Sequence, residues 1–172
     1  MTHTHPARRS TTALTVSSIV LIVIGIPALA HELIGAIDGA AGSTAALAVG
    51  ASSVSALVGL VFLAWLARFT PSVLSWIAAF TWGTGGALLI AGIGNGVTDA
   101  AMETSISGAQ TADVVTSVVT GPLIEETAKG IGALILILAA RKVLQRPAQG
   151  AVLGGLVGLG FAWGEDMGYY VS

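Results

Sequence analysis

Residues 114–140 read VVTSVVTGPLIEETAKGIGALILILAA, a largely apolar stretch with Glu125, Glu126 and Lys129 near its middle. As an α-helix, a stretch of about 27 residues is about 40 Å long, which is enough to cross a bilayer. Charged side chains at that depth are costly unless they face protein, water or a cation. A helix that only anchored the chain would not need them. The stretch therefore predicts both a membrane span and a functional site.

The composition extends this prediction to the whole chain. Of its 172 residues, 54% are hydrophobic and only 9% are charged, whereas about 25% are charged in a typical soluble domain. The chain has no cysteine, which excludes disulfides and thiolate metal sites. The sequence contains no basic patch of the kind that binds nucleic acids. We therefore expect an all-α, polytopic helical bundle whose surroundings are the lipid bilayer.

Five apolar stretches of roughly span length predict about five transmembrane helices in one membrane domain. They cover residues 13–33, 44–67, 73–94, 114–140 and 148–171. The longest connection, 95–113, is polar and acidic, and we expect it to be a loop. Basic side chains fall in alternate connections, so the positive-inside rule predicts a cytoplasmic N-terminus. The chain is thus expected to be a multi-pass protein of the cell membrane, taken to be a bacterial plasma membrane.

The first stretch has a second interpretation. Arg8 and Arg9, a short apolar core and the triplet Ala28-Leu29-Ala30 also resemble a secretory signal with its cleavage site. The apolar run continues beyond that triplet and further spans follow. We therefore favour an uncleaved first helix over a cleaved signal.

The last two stretches are expected to bring carboxylates together. Pro122 should bend the helix just before the acidic pair, and Glu125 and Lys129 share one helix face. In the last stretch, Glu165 and Tyr169 share a face with the glycines, which predicts that Glu165 points at a closely packed neighbouring helix, with Asp166 turned aside. These glycines are Gly150, Gly154, Gly158 and Gly168.

The distances of these carboxylates from the basic turn that joins the two helices are also similar. Glu126 lies about 22 Å, and Glu165 about 27 Å, from the cytoplasmic end at 1.5 Å per residue. Glu125 or Glu126 should therefore lie near Glu165 in the outer half of the membrane. Like charges this close require either protonation or a bound cation. Both outcomes suit catalysis, through a general base or through a metal that activates water.

These residues resemble a known family. Glu125-Glu126-Thr127-Ala128-Lys129 matches the EExxK motif of the PrsW family of intramembrane proteases, which belong with the CAAX-protease and bacteriocin-processing clan. The segment GLGFAWGED at 158–166, followed by Tyr169, is similar to that family's second motif. Two motifs in order on consecutive antiparallel spans are more specific than either alone. The resemblance covers residues 121–170.

The resemblance implies a site and a reaction. Glu125 and Glu126 would supply the catalytic carboxylate and a ligand or water-orienting group, Glu165 would face them, and Lys129 would balance charge. A divalent metal such as zinc would be held by Glu126 and Glu165, although a glutamate-activated water stays an open alternative. Phe161, Asp166 and Tyr169 would support the site. The implied reaction is hydrolysis of peptide bonds in membrane proteins near the outer membrane face, with anti-sigma factors as one substrate class.

The histidines of this sequence depart from the family pattern, in which a later span carries a histidine. The histidines here are His3, His5 and His31. His31-Glu32 could approach the site, although a histidine at a membrane interface more often has no catalytic role. We expect the sequence to be the N-terminal part of a longer protein, inactive alone. Two other functions stay open, a proton- or ion-coupled transporter that uses the carboxylates as a relay and a non-catalytic membrane scaffold.

Overall fold

The computed structural model describes residues 6–39, 42–67, 72–105, 111 and 114–171, and they contain helices and no strand. Two long helices come first. The third and fourth α-helices are joined by a wider π-helical segment, a second π-helical segment precedes the fifth, and the sixth is the last. In chain order the elements are α1 (Pro6–Gly39), α2 (Gly42–Ala67), α3 (Val73–Thr81), π1 (Trp82–Ala87), α4 (Leu88–Ser105), π2 (Thr116–Thr120), α5 (Gly121–Ala140) and α6 (Pro147–Val171). The predicted all-α membrane bundle is confirmed.

Within the described residues, three helical segments are long and apolar enough to cross a membrane. They are Thr11–Gly35 in α1, Gly42–Leu66 in α2, and Val73–Met102, which runs from α3 through π1 into α4. The α5 helix is apolar apart from three ionisable residues, Glu125, Glu126 and Lys129, within its 20 residues. That α5 and α6 also cross the membrane stays a prediction.

Contacts between the helices give their relative directions. Lys129 of α5 lies over Phe161 of α6, and Gly150 faces Ile137 nearer the turn that joins them, so α5 and α6 are antiparallel. The α2 helix is antiparallel to α6, because the Trp163 indole donates a hydrogen bond to Ser53 at 3.2 Å and Gly155 faces Leu63. This alternation is the one that five consecutive spans require.

The centre of the bundle is π1, whose sequence WGTGGA is buried throughout. A side chain at Gly83 would meet the backbone of α6, and one at Gly85 would meet the backbone of Gly25 in α1. The Trp82 indole donates a hydrogen bond to the Ala128 carbonyl of α5 at 3.0 Å. Because glycine has no Cβ, the backbones can approach this closely. Trp82, which is buried, is therefore a packing residue at the centre of the bundle.

The prediction that a loop begins at residue 95 is wrong, because α4 continues to Ser105. The segment 99–103 contains alanines, methionine and glutamate, which are good helix formers. Thr98 and Thr104 donate their hydroxyls to carbonyls of the preceding turn, at 2.8 Å each to Gly94 and Ala101, so their polarity does not interrupt the helix. The rest of the predicted loop, apart from residue 111, lies outside the described residues.

The predicted packing face of α6 is also wrong. A Cβ at Gly154, Gly158 or Gly168 would have no atom within 4 Å. The close approach uses Gly160, which meets the backbone of Phe80, and Gly164, where a Cβ would lie 3.3 Å from the Thr84 carbonyl oxygen. Glycine is required at positions 160 and 164 because the backbone of α3 and π1 occupies the space that a side chain would fill.

Candidate functional site

A cavity of about 450 Å³ lies where α1, α4, α5 and α6 meet. Each of the four helices contributes a polar side chain to its wall. These are Glu32 from α1, Asn95 from α4, Glu125 from α5, and Glu165 with Tyr169 from α6. The cavity therefore joins a carboxylate of the first predicted motif with one of the second, on two antiparallel helices.

The start of α5 delivers Glu125 to this cavity. Pro122 lies in the first turn of α5, directly after π2 in a continuous helix, so its missing N–H removes one backbone hydrogen bond. Directly before it, the chain widens into π2, and the Gly121 N–H bonds to the Thr116 carbonyl five residues back. A side chain at Gly121 would stand 3.8 Å from the Asn95 amide oxygen. Before the acidic pair, where a bend is predicted, the chain thus forms a π-turn packed on Asn95, another residue of the cavity wall.

Lys129 connects the two motifs. Its ammonium lies 2.8 Å from Glu126 Oε1 and 3.8 Å from Glu125 Oε2, one helical turn away. The same ammonium lies 3.9 Å from the centroid of the Phe161 ring on α6. Because a ring face attracts a cation, Phe161 holds the lysine between the two helices. The buried Phe161, predicted as a supporting residue, thus helps to place the charge that faces the carboxylates.

Glu165 has several charged or polar neighbours. Its side chain is hydrogen-bonded to Tyr169, one turn further along α6, and lies within electrostatic range of Glu125, Lys129 and Asp166. A tyrosine hydroxyl that donates to a carboxylate fixes the direction in which the carboxylate points. Glu165 is therefore oriented towards the same cavity as Glu125.

Other predicted residues lie elsewhere. The Glu126 side chain is 74% exposed and does not line the cavity. Asp166 is partly buried and is also outside the cavity wall, while His31 is exposed. His3 and His5 lie outside the described residues. Of the four carboxylates predicted for the site, the structure brings Glu125 and Glu165 to one cavity.

Two cavity residues carried little or no signal in the sequence. The sequence predicts a loop at Asn95, yet this residue lies in the middle of α4, and its Oδ1 atom is buried without a hydrogen-bond partner among the described residues. Glu32 lines the cavity as well, although the sequence suggests it only as the neighbour of His31. A polar side chain in the middle of an apolar helix is the signal that would have identified Asn95, had the helix been extended beyond residue 94.

The described residues do not fit a metal ion. They contain no group of three or more histidine, cysteine, aspartate or glutamate side chains arranged to hold one. A catalytic zinc usually has three protein ligands, histidine prominent among them. The predicted pair Glu126 and Glu165 would supply two carboxylates, of which only Glu165 lines the cavity. The described part of the cavity thus offers carboxylate, amide and hydroxyl groups.

The chain is similar to one known protein family. Residues 71–172 match a family model described as "PrsW family intramembrane metalloprotease". The match covers more than half of the chain and includes the helices that carry Asn95, Glu125 and Glu165. Neither the curated proteins nor the solved structures give a match.

Proposed function

Because the chain belongs to the PrsW family of intramembrane metalloproteases, we propose that it hydrolyses peptide bonds of membrane proteins at the cavity between α4, α5 and α6. One observation carries this proposal. Glu125 of the first motif and Glu165 of the second, 40 residues apart in sequence, line one cavity of about 450 Å³. The cavity lies toward the end of the bundle away from the basic turn at 141–146. Because that turn is predicted to be cytoplasmic, this position supports cleavage near the outer membrane face.

In the proposed mechanism, Glu125 is the general base. Its carboxylate takes a proton from a water molecule, the water oxygen attacks the peptide carbonyl carbon, and the C–N bond breaks as the proton passes to the departing nitrogen. Lys129 balances part of the negative charge on Glu125, while Glu165, held by Tyr169, orients the water from the opposite wall. Glu126 serves mainly to hold Lys129.

The family description implies a metal, which would polarise the peptide carbonyl and activate water. Since the described residues do not assemble a metal site, the steps above are assigned to the chain's own side chains. Zinc as the metal and anti-sigma factors as substrates stay predictions drawn from the family resemblance.

Asn95 is expected to be a positioning residue for this reaction. A buried amide oxygen without a partner loses the free energy of a hydrogen bond unless water or substrate supplies one, and Asn95 lines the cavity beside Glu125. We expect Asn95→Ala to lower the cleavage rate by about tenfold, the value of roughly one hydrogen bond. Asp99→Asn, one turn along α4 and exposed, is the matched control. Equal rates for both variants and the unaltered protein would remove Asn95 from the mechanism.

The proposed function can be tested without knowing the substrate. Cells that produce the unaltered protein are compared with cells that produce Glu165→Gln, and new protein N-termini are measured by mass spectrometry. Cleavage at the cavity predicts N-termini within or just outside the spans of membrane proteins, present only with the unaltered protein. Identical N-termini at equal protein abundance would contradict proteolysis. A loss of abundance in the variant would instead indicate a structural role for Glu165.

A further inference from the structure

A second cavity lies at the opposite end of α5 from the acidic pair. It is a groove of about 490 Å³ between α1 and α5, and Leu138 on its wall is 13 residues beyond Glu125, or about 20 Å along the helix. Its walls are small or apolar, with Ala13 and Ser17 from α1 and Ile135, Leu138 and Ala139 from α5. Ile135 and Leu138 are 39% and 53% exposed, so the groove opens at the surface of the bundle.

Two cations stand at the mouth of this groove. Arg141 and Lys142 follow the last residue of α5 directly, and both line the groove with exposed side chains. Among the described residues neither forms an ion pair, since the ion pairs there belong to Lys129. Both charges are thus available to a ligand.

The turn that carries these cations is held by several hydrogen bonds. The N–H groups of Val143 and Leu144 both donate to the Ala140 carbonyl, at 2.8 and 2.9 Å. The Gln149 side-chain oxygen accepts hydrogen bonds from the backbone N–H groups of Gln145 and Arg146, at 2.8 and 3.3 Å. The basic pair is therefore held next to the apolar groove by the fold.

We propose that this groove binds an anionic glycerophospholipid of the membrane leaflet on the basic side of the bundle. The phosphate lies between Arg141 and Lys142, and an acyl chain lies along Ile135 and Leu138. A free phosphate would use the cations but not the apolar walls, and a neutral lipid would use the walls but not the cations. Basic pockets between membrane helices suit anionic headgroups for this reason. The inference does not depend on the proposed protease activity.

The test measures lipids bound to the purified protein by native mass spectrometry. The protein is titrated with phosphatidylglycerol or with phosphatidylcholine of the same chain length. Each neutralised cation is expected to weaken phosphatidylglycerol binding about fivefold, which corresponds to about 1 kcal/mol. The double variant Arg141→Gln/Lys142→Gln should therefore bind about 25-fold more weakly, with phosphatidylcholine binding unchanged.

Two further variants separate this site from general surface charge. Arg146→Gln removes an exposed cation from the same turn that does not line the groove, and it should bind phosphatidylglycerol as the unaltered protein does. Ala13→Leu fills the groove and should weaken binding with all cations present. Equal effects of Arg146→Gln and the double variant would overturn the proposal. So would full competition by inorganic phosphate together with no effect of Ala13→Leu, because the ligand would then be phosphate alone.

Discussion

Glu125→Gln is expected to lower peptide-bond hydrolysis by about 10²- to 10⁴-fold, the usual effect of removing a general base. Glutamine keeps the shape of the side chain but cannot take a proton from water. Glu125 lines the cavity together with Glu165, so the loss should appear in the rate of the chemical step. The measurement is the initial rate of cleavage of a membrane-protein substrate by the complete protein in proteoliposomes, normalised to the amount of protein.

Glu126→Gln is the natural control for this experiment, because it makes the same change at the next position. The Glu126 side chain is 74% exposed and lies outside the cavity wall. We expect a smaller loss of cleavage rate than for Glu125→Gln, because glutamine at 126 no longer forms the ion pair that holds Lys129. If the two variants lost activity equally, the assignment of the base to Glu125 would be wrong. Full activity of Glu125→Gln would exclude the proposed mechanism.

Gly160→Ala is expected to destabilise the bundle by about 1–3 kcal/mol, the usual range for overpacking a tight contact. The added methyl group would meet the backbone of Phe80, and a backbone cannot rotate away as a flexible side chain can. The α3 and α6 helices must then separate, which also displaces the helix that carries Glu165. The free energy of unfolding in mixed micelles, followed by circular dichroism, measures the effect.

Gly154→Ala provides a matched control in the same helix. A Cβ at Gly154 would have no atom within 4 Å, so alanine should be neutral or should stabilise the helix by up to about 1 kcal/mol. The two substitutions are chemically identical and differ only in what surrounds them. Equal destabilisation by both would show that α3 and α6 do not pack as described.

The class of fold and the charged residues at the cavity could be predicted from the sequence. Apolar stretches of span length predict a helical membrane bundle because lipid leaves few alternatives for the backbone. Glu125, Lys129 and Glu165 were conspicuous because ionisable side chains are rare in apolar helices. The short basic turn between α5 and α6 then required these two helices to be antiparallel.

The remaining features depend on contacts that no single stretch of sequence contains. The rotation of α6 could not be predicted from its glycines, because they occur on more than one face and only the position of α3 selects Gly160 and Gly164. Asn95 could not be predicted as a cavity residue, because the polar and acidic composition of residues 95–113 favours a loop over a continued helix. The hydroxyls of Thr98 and Thr104 are satisfied by carbonyls of the preceding turn, so these polar side chains are accommodated without ending the helix.

The π1 segment has a consequence for how relatives of this chain should be aligned. A π-turn contains one residue more than the α-helical turn it replaces, and each residue rotates the following helix by about 100°. The face that α4 presents to the cavity, and with it Asn95, is therefore set by the number of residues in Trp82–Ala87 as well as by their identity. A relative that lacked one residue here could keep both acidic motifs intact and still build this wall of its cavity from a different side chain.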